Sequence, residues 1–320
     1  MTNPFWTPHD QKLRLPLIGA PMFLVSGKEL VIAQCRAGII GTLPALNART
    51  PEELDDWLAE IHDALLWPGS GPSPAQAPAP CGVNLIVHRT NASLDQHLDL
   101  CVKYRLPVVI TSFGCRPDVN EAIHAYGGIV LHDVTNLEHA RKAIERGANG
   151  LIAVAVGAGG HAGRLSPISL VEDIRRIWNG PLVLSGAVSS GRGILAAQAM
   201  GADMTYMGTR FIVAKESMAN QEYRDMIAGA EGADIVYTDK VSGTSANFLS
   251  ESLERAGISA NDAQPELHDQ TLDQPKAWRD IWSAGQGVGP IFRTETTEAI
   301  VAQLEQEYSE AAERIAALQN

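Results

Sequence analysis

Gly150-Leu151-Ile152-Ala153-Val154-Ala155-Val156 is an unbroken apolar run, and Gly157-Ala158-Gly159-Gly160-His161-Ala162-Gly163 follows it directly. The run reads as a strand buried on both faces, because no polar residue marks a solvent side. The glycine stretch reads as a loop that lets backbone approach a ligand, since glycine carries no Cβ. His161 is the one side chain in that loop able to exchange a proton near neutral pH. A helix over 168–178, entered through Pro167, completes a strand–loop–helix unit.

The unit repeats on both sides of this stretch. Upstream, a short strand around Leu17 is broken by Pro21-Met22, and a helix over 27–37 stops at Gly38. A strand over 39–43 leads to a helix from Thr50, the expected N-cap, to about 66, and a Pro/Ala/Gly/Ser-rich exposed loop covers 67–80. Strands over 82–87, 107–111 and 128–132 then alternate with helices over 93–104, 117–125 and 136–146. Downstream come a strand over 181–185, a helix over 191–200 and a strand over 203–207.

Eight short apolar strands, each followed by a helix, predict an α/β chain folded as a (β/α)8 TIM barrel. A doubly wound sheet competes, but polar and glycine residues collect at the strand C-termini, as a barrel requires. The barrel is expected to use 1–215 and 292–320, closing with an amphipathic helix over 294–318. Its apolar stripe is Ile300, Leu304, Tyr308, Ala311 and Ile315. The less regular segment 216–291 reads as a smaller, mainly helical subdomain capping the barrel mouth. Within it, Ser283-Ala284-Gly285-Gln286-Gly287 is a second glycine-rich stretch expected to reach back to the site.

Size and charge narrow the function. With 320 residues, 45% of them hydrophobic, the chain can bury a large core. Its 25 Lys and Arg against 37 Asp and Glu give a net charge of -12, which argues against nucleic acid or an anionic membrane as partner. No apolar run reaches the length of a membrane span and Met1 to Asp10 show no signal-peptide pattern, so a cytoplasmic location is expected. The four cysteines lack metal-ligand spacing and read as reduced thiols.

A barrel of this kind carries its site at the C-terminal strand ends. The residues placed there are Ala20-Pro21-Met22, Asn84, Thr111-Ser112, His132-Asp133, Gly157 to His161, Ser185-Gly186-Ala187 and Met207-Gly208-Thr209. No carboxylate pair suits glycoside hydrolysis, and no metal cluster is visible. The loops after the seventh and eighth strands suit a phosphate held on backbone N–H groups. Gly157-x-Gly159-x-x-Ala162 matches a dinucleotide fingerprint only loosely: it follows the sixth strand, and its helix starts only after Pro167.

Ala20-Pro21-Met22, Gly82-Val83-Asn84, Gly159-Gly160-His161-Ala162-Gly163, Ser185-Gly186 and Met207-Gly208-Thr209-Arg210 occur in the order that resembles the nitronate monooxygenases. Their superfamily also includes FMN-type enoyl-ACP reductases. The resemblance implies FMN as cofactor. It implies flavin contacts from Ala20, Pro21, Met22, Asn84 and Gly159, and phosphate contacts from Gly186, Gly208 and Thr209; position at the strand ends adds His132, Gly160, Ser185, Ala187 and Met207 as candidate cofactor contacts. His161 would be catalytic, facing the reacting group, with Ser283 and Gln286 bordering the substrate. Two positions depart from related sequences. Ala187 stands where a second glycine is common, and Asp133 stands where some relatives carry a lysine. If that lysine serves the phosphate in relatives, Arg210 is the candidate replacement cation here.

The implied reaction converts an alkyl nitronate or nitroalkane and O2 to a carbonyl compound and nitrite. The competing enzyme reading is an NAD(P)H-dependent FMN reductase of an enoyl thioester or a quinone. A third is a flavin-binding protein without turnover. Partners reduce to a small-molecule substrate and O2, with no nucleic acid and no membrane; self-association into a homo-oligomer is left open.

Overall fold

The computed structural model describes residues 13–65, 78–258 and 277–318. The proline-rich loop and the polar stretch around 261–274 fall largely or wholly outside them. Eight parallel strands form the core: β1 (Leu17–Gly19), β2 (Gly41–Pro44), β3 (Cys81–Ile86), β4 (Val108–Ser112), β5 (Ile129–Val134), β6 (Gly150–Val154), β8 (Leu182–Ser185) and β9 (Met204–Met207). They pair in the order β1-β9-β8-β6-β5-β4-β3-β2. A parallel bridge from Ile18 to Ile40, with the Gly19 N–H on the Ile40 carbonyl at 2.8 Å, joins the two ends. The result is a TIM barrel.

The strands form because both faces find apolar partners. Ile18, Ile40, Val108, Ile110, Leu131, Ile152, Val183 and Met204 fill the barrel interior. The alternate residues, such as Val83, Val109 and Val130, pack outward under the helices. Those helices are α1 (Lys28–Arg36), α2 (Pro51–Leu65), α3 (Leu94–Lys103), α4 (Pro117–His124), α5 (Leu137–Glu145), α6 (Pro167–Arg175) and α7 (Gly191–Ala199). Their N-termini are set locally: Asn136, Ser166 and Ser190 each accept a backbone N–H three residues on. The four cysteines are buried and free.

Two findings depart from the sequence expectation. The glycine stretch contains a two-residue strand, β7 (Gly160–His161). The capping segment holds helices α9 (Gln221–Gly229) and α10 (Ser250–Arg255), and also strands β10 (Ile235–Thr238) and β11 (Ala246–Leu249). These strands pair antiparallel in the order β10-β11-β7, so part of the barrel's own loop is a strand of the cap's sheet. The short helix α8 (Thr209–Ile212) joins β9 to the cap. Among the described residues, no helix is long and apolar enough to cross a membrane.

The last helix, α11 (Thr297–Ala317), packs on α7 and α1. Ile300, Val301 and Leu304 are buried, while Ile315 is 48% exposed. The expected apolar stripe thus ends early, because α11 has 21 residues and its partner α7 only nine. The α7–α11 contact is tight at Gly191, whose N–H donates to Glu307 Oε2 at 2.8 Å. A Cβ at Gly191 would collide with the Leu304 carbonyl oxygen and the Tyr308 backbone nitrogen. Gly191→Ala is therefore expected to destabilise the fold by about 2 kcal/mol through overpacking, read from urea unfolding midpoints. An unchanged midpoint would show that α11 yields freely.

Candidate active site

A cavity of about 450 Å³ opens at the C-terminal ends of the barrel strands. That volume suits a cofactor-sized ligand. It is lined by Ala20, Pro21 and Met22 after β1, Asn84 on β3, Ser112 on β4, Asp133 on β5 and Val154 on β6. Residues 157–161, Ser185 to Ser189, Tyr206, Gly208 and Thr209 complete the barrel side, and Trp278 and Ser283 to Gly285 face them from the cap.

The loop after β1 is clamped by a buried amide that the sequence pattern does not flag. Asn47 donates from Nδ2 to the Met22 and Ser26 carbonyls at 2.9 and 2.8 Å, and its Oδ1 accepts the Leu24 N–H at 2.8 Å. Ser26 Oγ accepts the Met22 N–H at 2.9 Å. Ala20, Pro21 and Met22 thus present fixed backbone to the cavity.

The glycine loop is held from the cap. The Gly157 carbonyl accepts N–H groups from Gln286 at 2.9 Å and Ala187 at 3.2 Å. The Ala158 carbonyl accepts Asn247 Nδ2 at 2.7 Å. Ser283 Oγ accepts the Gly160 N–H at 2.6 Å and donates to the Asn247 carbonyl at 2.7 Å. The two glycine stretches touch backbone to backbone: a Cβ on Gly285 would sit 2.6 Å from the Gly157 carbonyl oxygen.

His161 is half-buried and lines the cavity between two aromatic edges, with ring centroids 5.1 Å from Phe113 and 5.3 Å from Trp278. Burial pushes its imidazole below the ordinary value, so the neutral form prevails near pH 7. Ser242 Oγ donates to the Thr244 carbonyl at 2.9 Å, so toward His161 Nε2, 3.4 Å away, it can only accept. With the hydroxyl donating to Thr244, this long contact favours the tautomer with the ring proton on Nε2, in which Nδ1 is the proton-accepting nitrogen.

At the other side of the cavity a polar chain crosses three strands. Asn84 Nδ2 donates to Ser112 Oγ at 2.7 Å, and Ser112 Oγ donates to Asp133 Oδ2 at 2.6 Å. Asp133 Oδ1 is buried without a hydrogen-bond partner. Burial pushes this carboxyl up to about 6, against the lowering effect of the Ser112 hydrogen bond. Tyr206 is held neutral by burial and by the charge of Asp133. Among the described residues, neither lysine nor arginine lines the cavity. Arg210 turns away, binding Glu295 Oε2 at 2.9 Å and Gln303 Oε1 at 3.1 Å, and supplies no cation there. No metal-ligating cluster occurs among them either.

Three expected contacts lie off the cavity. β5 continues to Val134, so alternation turns Leu131 and Asp133 inward and His132 outward. His132 is buried against Thr111, whose Oγ1 lies 2.6 Å from its Nδ1, and its pKa is lowered to about 4, first by burial and then by the charges of His139 and Arg146. Met207 packs outward with Leu17, Leu30 and Phe211, and only its carbonyl meets the site loop, accepting the Ala20 N–H at 2.9 Å. The Gln286 side chain is exposed, and it is its backbone N–H that holds Gly157.

Conversely, Phe113, Trp278, Tyr206 and Tyr223 line the cavity without having been marked by any motif. Tyr223 stacks on Trp282 with centroids 5.0 Å apart and donates its hydroxyl to the Ser283 carbonyl. Ser185, Gly186, Ala187, Gly208 and Thr209 all face the cavity. Thr209 Oγ1 accepts the Gly285 N–H at 2.9 Å, which leaves its own proton to donate to an anion.

Residues 9–307 match the nitronate monooxygenase family. The chain is 34% identical to a nitronate monooxygenase of Pseudomonas aeruginosa over 283 residues, covering 74% of this chain and 77% of that protein. Among solved structures it resembles a nitroalkane oxidase from Streptomyces ansochromogenes, at a TM-score of 0.79, 24% identity, and coverage of 95% and 98%. It also resembles a single-substitution mutant of FabK from Thermotoga maritima, at a TM-score of 0.77, 25% identity and coverage of 97% of each chain.

Ala187 holds φ at +56°, a conformation that glycine adopts freely and a Cβ disfavours. Ala187→Gly is expected to stabilise the ligand-free protein by about 1 kcal/mol in urea unfolding. A loss of stability would show that the alanine methyl packs to greater benefit than its strain costs.

Proposed function

The chain belongs to the nitronate monooxygenase family and is an oxidoreductase; from that premise we propose that it binds FMN and oxidises alkyl nitronates with O2 to carbonyl compounds and nitrite. The carrying observation is that β7 sets His161 into a cavity that also holds a cation-free, backbone-rich cradle at 185–187 and 208–209. The cradle suits a phosphate. The residues present fit the cofactor further: Thr209 keeps a hydroxyl proton to donate, and Asp133 Oδ1 is an orphaned buried oxygen at the cavity wall.

FMN, when bound, supplies electron acceptance and the reaction with O2. The chain's own residues bind, orient and move the proton. Asn47 and Ser26 keep the backbone of Ala20 to Met22 in place as one wall. Phe113 and Trp278 flank the imidazole with edge contacts that fix the plane of its ring. With Nε2–H toward Ser242, His161 Nδ1 can take the α-proton of a neutral nitroalkane. Below its depressed pKa the imidazolium would pair with the oxygens of an anionic nitronate instead. Ser283 shapes the loop through Gly160, so its contribution is to position His161.

The likeness to FabK keeps an NAD(P)H-dependent reductase of an enoyl thioester or quinone as the second reading. Anaerobic mixing of FMN-loaded protein with ethylnitronate, NADH or NADPH separates them by flavin absorbance. Bleaching by the nitronate and not by the nicotinamides supports the proposal; bleaching by a nicotinamide alone replaces it with the reductase. A protein that takes up no FMN overturns both, and FMN retained with no reductant at all indicates a carrier. In the supported case, His161→Asn should lower kcat/KM for neutral nitroethane by about 10²-fold or more, and for ethylnitronate by much less. Equal losses on both substrates would remove the general-base role.

A further inference from the structure

Asp133 is the one carboxylate lining the cavity among the described residues, and nothing in the reaction above uses it. Ser112 Oγ already accepts from Asn84, so its single proton is committed to Asp133 Oδ2 and the carboxyl is fixed in place. Oδ1 is left buried and unpartnered. Such an atom is costly unless a ligand meets it. Strand order says which part of a ligand that would be. Around the barrel, Asp133 on β5 stands two places from β8 and three from β9, and its partners Ser112 and Asn84 continue the chain on β4 and β3, away from the 185–187 and 208–209 cradle. A ligand anchored at the cradle by its phosphate and extending across the mouth would bring its far end to this chain.

We propose that Asp133 is an ionisable contact to the ring of the bound flavin: protonated, it donates from Oδ1 to a ring acceptor, and ionised, it opposes negative charge on the ring. Ser112 is its positioning residue. This rests on the FMN reading. Burial has already moved the titration of Asp133 into the range where protonation and ionisation compete near neutral pH. Among the described residues, the other titratable groups lining the cavity are His161, Tyr206 and Tyr223, and they are common to every variant compared.

Sulfite adds through its sulfur lone pair to an oxidised flavin, and the adduct carries the added negative charge on the ring. Its affinity therefore reads the charge that Asp133 presents. FMN-loaded wild type, Asp133→Asn and Ser112→Ala would be titrated with sulfite between about pH 5 and pH 8, following flavin absorbance. Near pH 8, Asp133→Asn should bind sulfite about tenfold tighter than wild type or more, as removal of a full charge at contact distance implies. The ratio should shrink toward one as pH falls through about 6 and the wild-type carboxyl protonates. Ser112→Ala removes the hydrogen bond that lowers the carboxyl, so the wild-type profile should shift to higher pH. It serves equally if Asp133→Asn does not fold. A ratio near one at every pH, or a constant ratio without the pH profile, overturns the role of Asp133 while FMN binding stands. Failure of wild type to retain FMN removes the flavin reading and this inference with it.

Discussion

The backbone of residues 157–161 is the constraint on which the site depends. Four glycine or alanine residues in a row have little reason to hold one conformation, and ordering each costs about 1–2 kcal/mol of backbone entropy. Here the order is imposed from outside: two N–H donors converge on the Gly157 carbonyl, Asn247 holds the Ala158 carbonyl, and Ser283 holds the Gly160 N–H. β11 then pairs His161 with Ala246 and Gly160 with Asn247. Every one of these partners except Ala187 comes from the cap. The imidazole direction is therefore a property of the cap as much as of the barrel.

Much of the barrel was legible in the chain because parallel strands buried on both faces must be apolar throughout, and such runs stand out between helical patterns. Once the strands are placed, residues such as Ala20, Asn84, Gly186 and Thr209 fall at the mouth by topology. The misses have physical reasons. The apolar run stops at His132, but β5 runs two residues further, and one step of alternation exchanges His132 for Asp133. β7 has only two residues and exists through its pairing with β11, so it has no local period to detect. Phe113 and Trp278 reach the cavity from positions with φ of +60° and +69°, which propensity would assign to glycine. Asn47 acts through three contacts with residues more than twenty positions away in sequence.

The electrostatics of the cavity bear directly on the anionic ligands proposed for it. Among the described residues its walls supply one carboxyl, one imidazole of lowered pKa and neutral phenols, while Arg210, next after Thr209, is bound to Glu295. Anion affinity then falls to backbone N–H groups and hydroxyls, which carry partial charge and do not titrate. Burial drives the two titrating groups toward their neutral forms, the carboxyl upward and the imidazole downward. Two groups that would attract each other as an ion pair are kept apart as an acid and a base.

The shared strand between barrel and cap has a consequence for how such chains can be recombined. Exchanging caps between relatives at the sequence boundaries of residues 216 and 291 would leave β7 behind and strip β11 of its neighbour. The unit that orients the histidine is three separated pieces: residues 157–163, the β10–β11 hairpin, and the 283–287 return. A graft that moves all three still leans on the recipient barrel at two points, Ala187 and Thr209, while one that moves the cap alone delivers a barrel whose histidine has no fixed address.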